Sequence, residues 1–111
     1  GLPLQDAVVI VDGAEGLSRL HAHCFQADGA AAPRVLGIDA EWTCAPAPRQ
    51  MKLQWVQLAS ETRVFLLDVP ALCAAHAERL HGTLGALLAA PHLVKVGFGL
   101  RNDLREIRAA H

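Results

Sequence analysis

Residues 35–42 read Val-Leu-Gly-Ile-Asp-Ala-Glu-Trp, and no other segment constrains the fold as tightly. β-Branched and aromatic residues favour an extended strand, and side chains along a strand alternate between its faces. Leu36, Ile38, Ala40 and Trp42 therefore share one apolar face, while Asp39 and Glu41 share the other. Acids are depleted in strand interiors and are seldom buried unpaired. Two on one face repel each other unless something positive stands between them, and the segment holds no Lys or Arg. Two readings remain open. The acids are solvated on an edge strand, or they are hard oxygen ligands for a divalent cation such as Mg2+ or Mn2+.

Around this strand the pattern is one of short apolar runs and amphipathic stretches. Val8 to Val11 reads as a strand, closed by the turn Asp12-Gly13. Ala14 to Phe25 is helical in spacing, with Leu17, Leu20, Cys24 and Phe25 near one face. Arg34 to Trp42 is the acid-bearing strand, and Cys44 to Gln50, with Pro46 and Pro48, reads as an extended loop. Leu53 to Ala59 and Val64 to Leu67 form a hairpin about Ser60-Glu61-Thr62. Within it Trp55 alternates with Leu53 and Gln57 and is core or a second contact beside Trp42. Pro70 to Leu80 and Thr83 to Ala90 are helical, and Pro91 ends the second. Leu93 to Val96 is apolar on both faces, as a strand covered on both sides would be. A final helix runs from about Leu100 to the end. The order β-α-β-β-β-α-β-α predicts an α/β domain with a mixed sheet, since the hairpin excludes an all-parallel one.

Totals narrow the function classes. At 111 residues there is room for one domain, and a net charge of −1 argues against loose, non-specific nucleic-acid binding. Cys24, Cys44 and Cys73 include no CxxC pair, which argues against a zinc ribbon or a redox motif and for reduced thiols in an intracellular protein. No apolar run reaches the ~18 residues of a membrane span, and the first residues lack the basic start of a signal peptide. Gly1 in place of Met suggests that the chain was cut from something longer. His21-Ala22-His23-Cys24 collects soft metal ligands, but His23 points away from the other two on a helix and no second cluster matches it.

A second acidic site lies at Lys95-Val96-Gly97-Phe98-Gly99-Leu100-Arg101-Asn102-Asp103-Leu104. A dinucleotide fingerprint would need a third glycine where Asn102 stands. Leu100, Leu104 and Ile107 follow i, i+4, i+7 spacing and predict a buried stripe, with Asp103 at its flank. Asp103 is also what a helix dipole favours in a first turn. Arg101, Arg105 and Arg108 repeat on another face, as a solvated surface or as phosphate contacts.

Taken together, G-I-D-A-E-W, then L-Q-W-V-Q-L-A-S-E-T-R-V-F-L-L-D, then K-V-G-F-G-L-R-N-D-L resemble the first two motifs and the intervening hairpin of the ribonuclease D and Werner-type 3′–5′ exonucleases. These belong to the DEDD superfamily, and the glycine-rich second motif is most similar to the mut-seven-like branch. The resemblance implies a ribonuclease H-like mixed sheet flanked by helices. It also implies a site of two divalent ions, Mg2+ or Mn2+, and the 3′ end of RNA or DNA as partner. It makes Asp39, Glu41 and Asp103 the catalytic metal ligands. Trp42 and Thr43, which follow Glu41, would line the pocket for the terminal nucleotide, although the strand pattern also fits Trp42 as core. Arg101 and Arg105 would contact substrate. The family's third motif is a Tyr or His followed four positions later by Asp, and this sequence contains neither arrangement and no Tyr at all. Residues 1–111 are thus expected to be the N-terminal portion of a single exonuclease domain, incomplete at its C-terminal end and inactive alone. The competing expectation is a non-catalytic module that keeps the fold to bind nucleic acid or protein.

Overall fold

A computed structural model describes residues 8–25, 32–46 and 49–97. Its elements, in chain order, are β1 (Val8–Val11), α1 (Ala14–Cys24), β2 (Val35–Pro46), β3 (Arg49–Ala59), β4 (Val64–Asp68), α2 (Val69–Ala89) and β5 (Val94–Val96). The five strands form one sheet in the order β1-β4-β3-β2-β5. β3 runs antiparallel to both β2 and β4, while β1 runs parallel to β4 and β5 parallel to β2. This is the expected α/β mixed sheet. The expected helix from Leu100 lies outside the described residues.

One face of the sheet carries the core. Val9 and Val11 of β1, Leu36 of β2, Leu53, Val56 and Leu58 of β3, and Phe65 and Leu67 of β4 are all buried there. α1 adds Leu17, Leu20 and Cys24, and α2 adds Val69, Leu72, Leu80 and Leu87. Close packing of α1 on β1 depends on Gly16, because a Cβ at that position would sit 3.0 Å from the Val11 Cα. α2 starts where the Asp68 carboxylate accepts from the backbone N–H of Ala71 at 3.2 Å, an N-cap that satisfies one of the orphan donors of a first turn. Arg79 of α2 donates to the Ser18 hydroxyl of α1 at 2.7 Å.

The β3–β4 turn is tied down twice. Its Glu61 carboxylate accepts from the backbone N–H groups of Arg34 and Val35 at 3.0 and 2.7 Å, anchoring the start of β2. Its Ser60 hydroxyl accepts from the Arg63 N–H at 3.1 Å and hydrogen-bonds His23 of α1 at 2.8 Å.

Four expectations need correction. β2 and β3 extend to Pro46 and Arg49 as a paired ribbon, where the prolines suggested a loop from Cys44 to Gln50. Pro46 pairs with Arg49 at the very end of the ribbon, where the ladder does not need its missing N–H. α2 is a single element whose break falls at His76, with φ −141° and ψ 37°, rather than between Leu80 and Thr83. Among the described residues β5 ends the sheet, and they cover only one of its faces, leaving Val94 61% and Val96 55% exposed. Finally, Leu53 does not share a face with Trp55 and Gln57, because the β2–β3 register shifts between Glu41 and Trp42. Glu41 pairs with Trp55 and Trp42 with Leu53, so Gln54 is the extra residue of a β-bulge.

Candidate functional site

Pairing register fixes what stands on the face away from the helices. Asp39 lies opposite Gln57, and Gln57 opposite Leu66. Glu41 lies opposite Trp55, and Trp55 opposite Asp68. Past the bulge, Thr43 lies opposite Lys52. Asp39, Glu41, Trp55, Gln57 and Leu66 line a cavity of about 280 Å³, near the lower bound of the ~300–1,000 Å³ usual for small-molecule pockets. Both carboxylates are exposed. Asp39 Oδ1 accepts from the backbone N–H of Ala40 at 3.0 Å, which steers the carboxylate along its own strand.

The two acids therefore stand side by side, two residues apart on one strand face, a Cα spacing of ~6.6 Å. Their nearest cross-strand partners on β3 are neutral. Among the described residues nothing positive pairs directly with either, and the donors they offer are hard oxygens, the set that suits Mg2+ or Mn2+. Among the described residues no group of three His, Cys, Asp or Glu side chains is placed to hold a metal ion. Of the residues expected to hold one, Asp39 and Glu41 are brought together on the cavity; Asp103, Arg101 and Arg105 lie outside the described residues.

Other residues singled out by sequence fall as follows. Trp42 is on the helix face, partly buried and packed against the core, while Thr43 is exposed on the carboxylate face. The aromatic side chain beside the acids is Trp55, 38% exposed. Of the soft-ligand cluster, Cys24 is buried, His23 engages Ser60, and His21 stacks on Phe25 with ring centroids 4.6 Å apart. Burial pushes the Cys24 thiol up to about 11, far from a thiolate ligand at neutral pH.

Lys52 was not singled out by its sequence context. Strict alternation back from Gln57 and Trp55 would turn Lys52 toward the helices, and the bulge brings it instead to the carboxylate face. The signal for this is present in the sequence. Inward apolar residues at 58 and 56 are followed by 53, and a gap of three in a period-two strand marks an extra residue.

No family model matches the chain. It is 35% identical over 82 residues to the Homo sapiens exonuclease mut-7 homolog, a match covering 67% of this chain and 9% of that protein. The fold is similar to the Aedes aegypti Nibbler EXO domain, with a TM-score of 0.75 and 18% identity over 98% of this chain and 47% of that one. The EXD2 exonuclease domain, in a crystal soaked in Mg and GMP, gives a TM-score of 0.65 and 26% identity over 94% of this chain and 50% of that one. Trypanosoma brucei RNase D in complex with RNA U12 gives 0.66 and 23% over 90% and 32%. The chain thus spans about one-tenth of its curated relative and no more than half of these domains.

The five-stranded mixed sheet and these likenesses define the class: the chain belongs to the family of DEDD-type 3′–5′ exonuclease domains. Within that class the chain belongs to the mut-7-like branch. No helix among the described residues is long and apolar enough to cross a membrane.

Proposed function

We propose that this chain contributes the first carboxylates of a metal-dependent site that hydrolyses phosphodiester bonds from the 3′ end of RNA or DNA. The observation that carries this reading is the exposed Asp39–Glu41 pair, held on one face of β2 and facing a cavity. Likeness to domains crystallised with GMP or RNA supports a nucleic-acid 3′ end as the partner. Asp103, which matches the second family motif, is proposed to complete the ligand set with Asp39 and Glu41.

A bound divalent ion would supply Lewis-acid polarisation of a phosphoryl oxygen and a more acidic bound water. The chain's own residues do the rest. Asp39 and Glu41 hold negative charge at a fixed place, on the rigid middle of a sheet rather than on a loop. Thr43 and Lys52, next along the same face, are placed to meet the substrate backbone, Thr43 as a hydrogen-bond donor and Lys52 as a cation. Arg101 and Arg105 are proposed as further phosphate contacts.

The family's third motif does not occur within these 111 residues, so we infer that they are inactive on their own and act within a longer protein. The experiment is release of the 3′ nucleotide from a labelled oligonucleotide in Mg2+ or Mn2+, by the whole protein and by the 111-residue chain. Asp39→Ala is expected to cut the whole protein's rate a thousandfold or more, equivalent to ~4 kcal/mol of transition-state stabilisation, with thermal unfolding unchanged. Full activity in Asp39→Ala would dismiss the site, and rapid degradation by the 111-residue chain would dismiss the need for a further segment. Binding of the oligonucleotide without metal-dependent turnover would favour a non-catalytic module.

A further inference from the structure

Across the sheet from Asp39 and Glu41, α1 and α2 enclose a cavity of about 270 Å³ lined by Leu17, Ser18, His21, Ala22, Arg79 and Thr83. No carboxylate lines it, and each of its polar side chains can donate a hydrogen bond. Arg79 gives one N–H to the Ser18 hydroxyl at 2.7 Å, and the rest of its fork bonds to no other described residue. The Ser18 oxygen accepts in that bond, so its own hydrogen remains available. Thr83 is 9% exposed, and its hydroxyl bonds to no other described residue. No sealed side-chain polar atom among the described residues lacks a partner, so the Thr83 hydroxyl opens on the cavity it lines. His21, held by its stack on Phe25, adds a ring N–H.

We propose that this cavity is an anion site for a phosphate group, free or carried as a monoester. Its cation is Arg79, whose planar fork matches two phosphate oxygens at once. A carboxylate would then be fully engaged, whereas a phosphate keeps a further oxygen for the Ser18, Thr83 or His21 donor. These donors belong to both helices, so a bound phosphate adds a bridge between α1 and α2 beside the Arg79–Ser18 bond. The space suits one phosphate group, and it falls short of the ~300–1,000 Å³ usual for larger ligands. The remainder of an ester would therefore extend into solvent. The site is independent of the exonuclease reading, since the sheet and its core separate it from the acid pair.

The test is calorimetric titration of the whole protein with inorganic phosphate, adenosine 5′-monophosphate and acetate, in a chelator so that no metal holds phosphate at the carboxylates. Saturable binding is expected for phosphate or the monophosphate and not for acetate. Equal affinity for the first two assigns free phosphate as the ligand, and tighter binding of the monophosphate assigns an ester. Arg79→Ala is expected to weaken binding about tenfold or more. Arg79→Lys should recover only part of this, because it keeps the charge without the fork. Thr83→Val keeps the branched shape, loses the hydroxyl, and should weaken binding about three- to tenfold. Arg19→Ala, exposed on α1 and outside the cavity, should leave the affinity unchanged. Arg79 and Arg19 are both exposed, so neither change should disturb the fold. The proposal is overturned if no saturable binding occurs, if acetate binds as well as phosphate, if Arg79→Ala leaves the affinity intact, or if Arg19→Ala weakens it as much.

Discussion

On the helix side of the sheet, Val11, Leu36, Leu53, Val56, Leu58, Phe65 and Leu67 are each no more than 2% exposed. On the opposite side, the same strands present Val8, Ile10, Val35, Trp55, Val94 and Val96 at 37% to 61% exposure, together with Asp39 and Glu41. One backbone thus supports two chemistries. Among the described residues the helix side holds the strands in place through buried area, and the other side carries the charge. A carboxylate pair survives in mid-sheet because the residues alternating with it do the packing.

Substitutions can separate these roles. The largest effect is expected from Leu67→Ala, which leaves a cavity in the helix-side core and should cost ~2–5 kcal/mol. Ile10→Ala, 52% exposed across the sheet, should cost under ~1 kcal/mol. Denaturant unfolding of both variants reads the difference directly, and equal costs would show that the second face is as tightly packed as the first.

A smaller effect is expected at Gly97, where a Cβ would come within 2.7 Å of the Ile38 carbonyl oxygen. That neighbour is backbone on the acid-bearing strand, so it cannot swing aside. Gly97→Ala should cost ~1–3 kcal/mol and speed amide exchange at Val94, whose N–H donates to the Arg34 carbonyl at 2.8 Å. Unchanged exchange would mean that the end of β5 does not press on β2 as described.

The smallest effect concerns His23, beneath the hairpin. Burial, and then the charge of Arg63, hold its imidazole below the ordinary histidine range, with Glu61 opposing. The folded state then takes up its proton less readily than the unfolded state does. The associated stability is fully present above the unfolded value of ~6.5 and is lost as pH falls through the lower folded value. Stability should decline as pH falls from ~6.5 toward that lower value, and less steeply in His23→Gln. Identical slopes in the two proteins would remove His23 from the account.

Much of this was readable from the sequence, for reasons that differ by element. The Asp39–Glu41 face followed from period-two alternation, because β2 is regular through that stretch. The hairpin at Ser60-Glu61-Thr62 followed from its polar turn, although the grip of Glu61 on the start of β2 joins residues 26 and 27 apart and has no local signature. The break at His76 was not legible, since alanines on both sides of it favour unbroken helix. Trp42 and Trp55 are the instructive pair. Each sits in an apolar run; alternation along β2 turns Trp42 to the helix side, and pairing with Glu41 puts Trp55 on the carboxylate face. The second acidic segment, Asp103 with Arg101 and Arg105, rests on motif resemblance.

The bulge at Gln54 also constrains how this hairpin can change over generations. Side chains repeat every two residues along a strand, so a shift of one residue moves each to the opposite face. Loss of Gln54 alone would remove the bulge and leave Leu53 inward and Lys52 outward, opposite Trp42 and Thr43 as before, whereas a single residue inserted into the regular stretch from Trp55 to Ala59 would turn part of the strand over unless a second bulge absorbed it. Descendants of this sequence can therefore shed the extra residue and keep Lys52 and Leu53 as they are, while other single-residue changes in the ribbon need a bulge to absorb them.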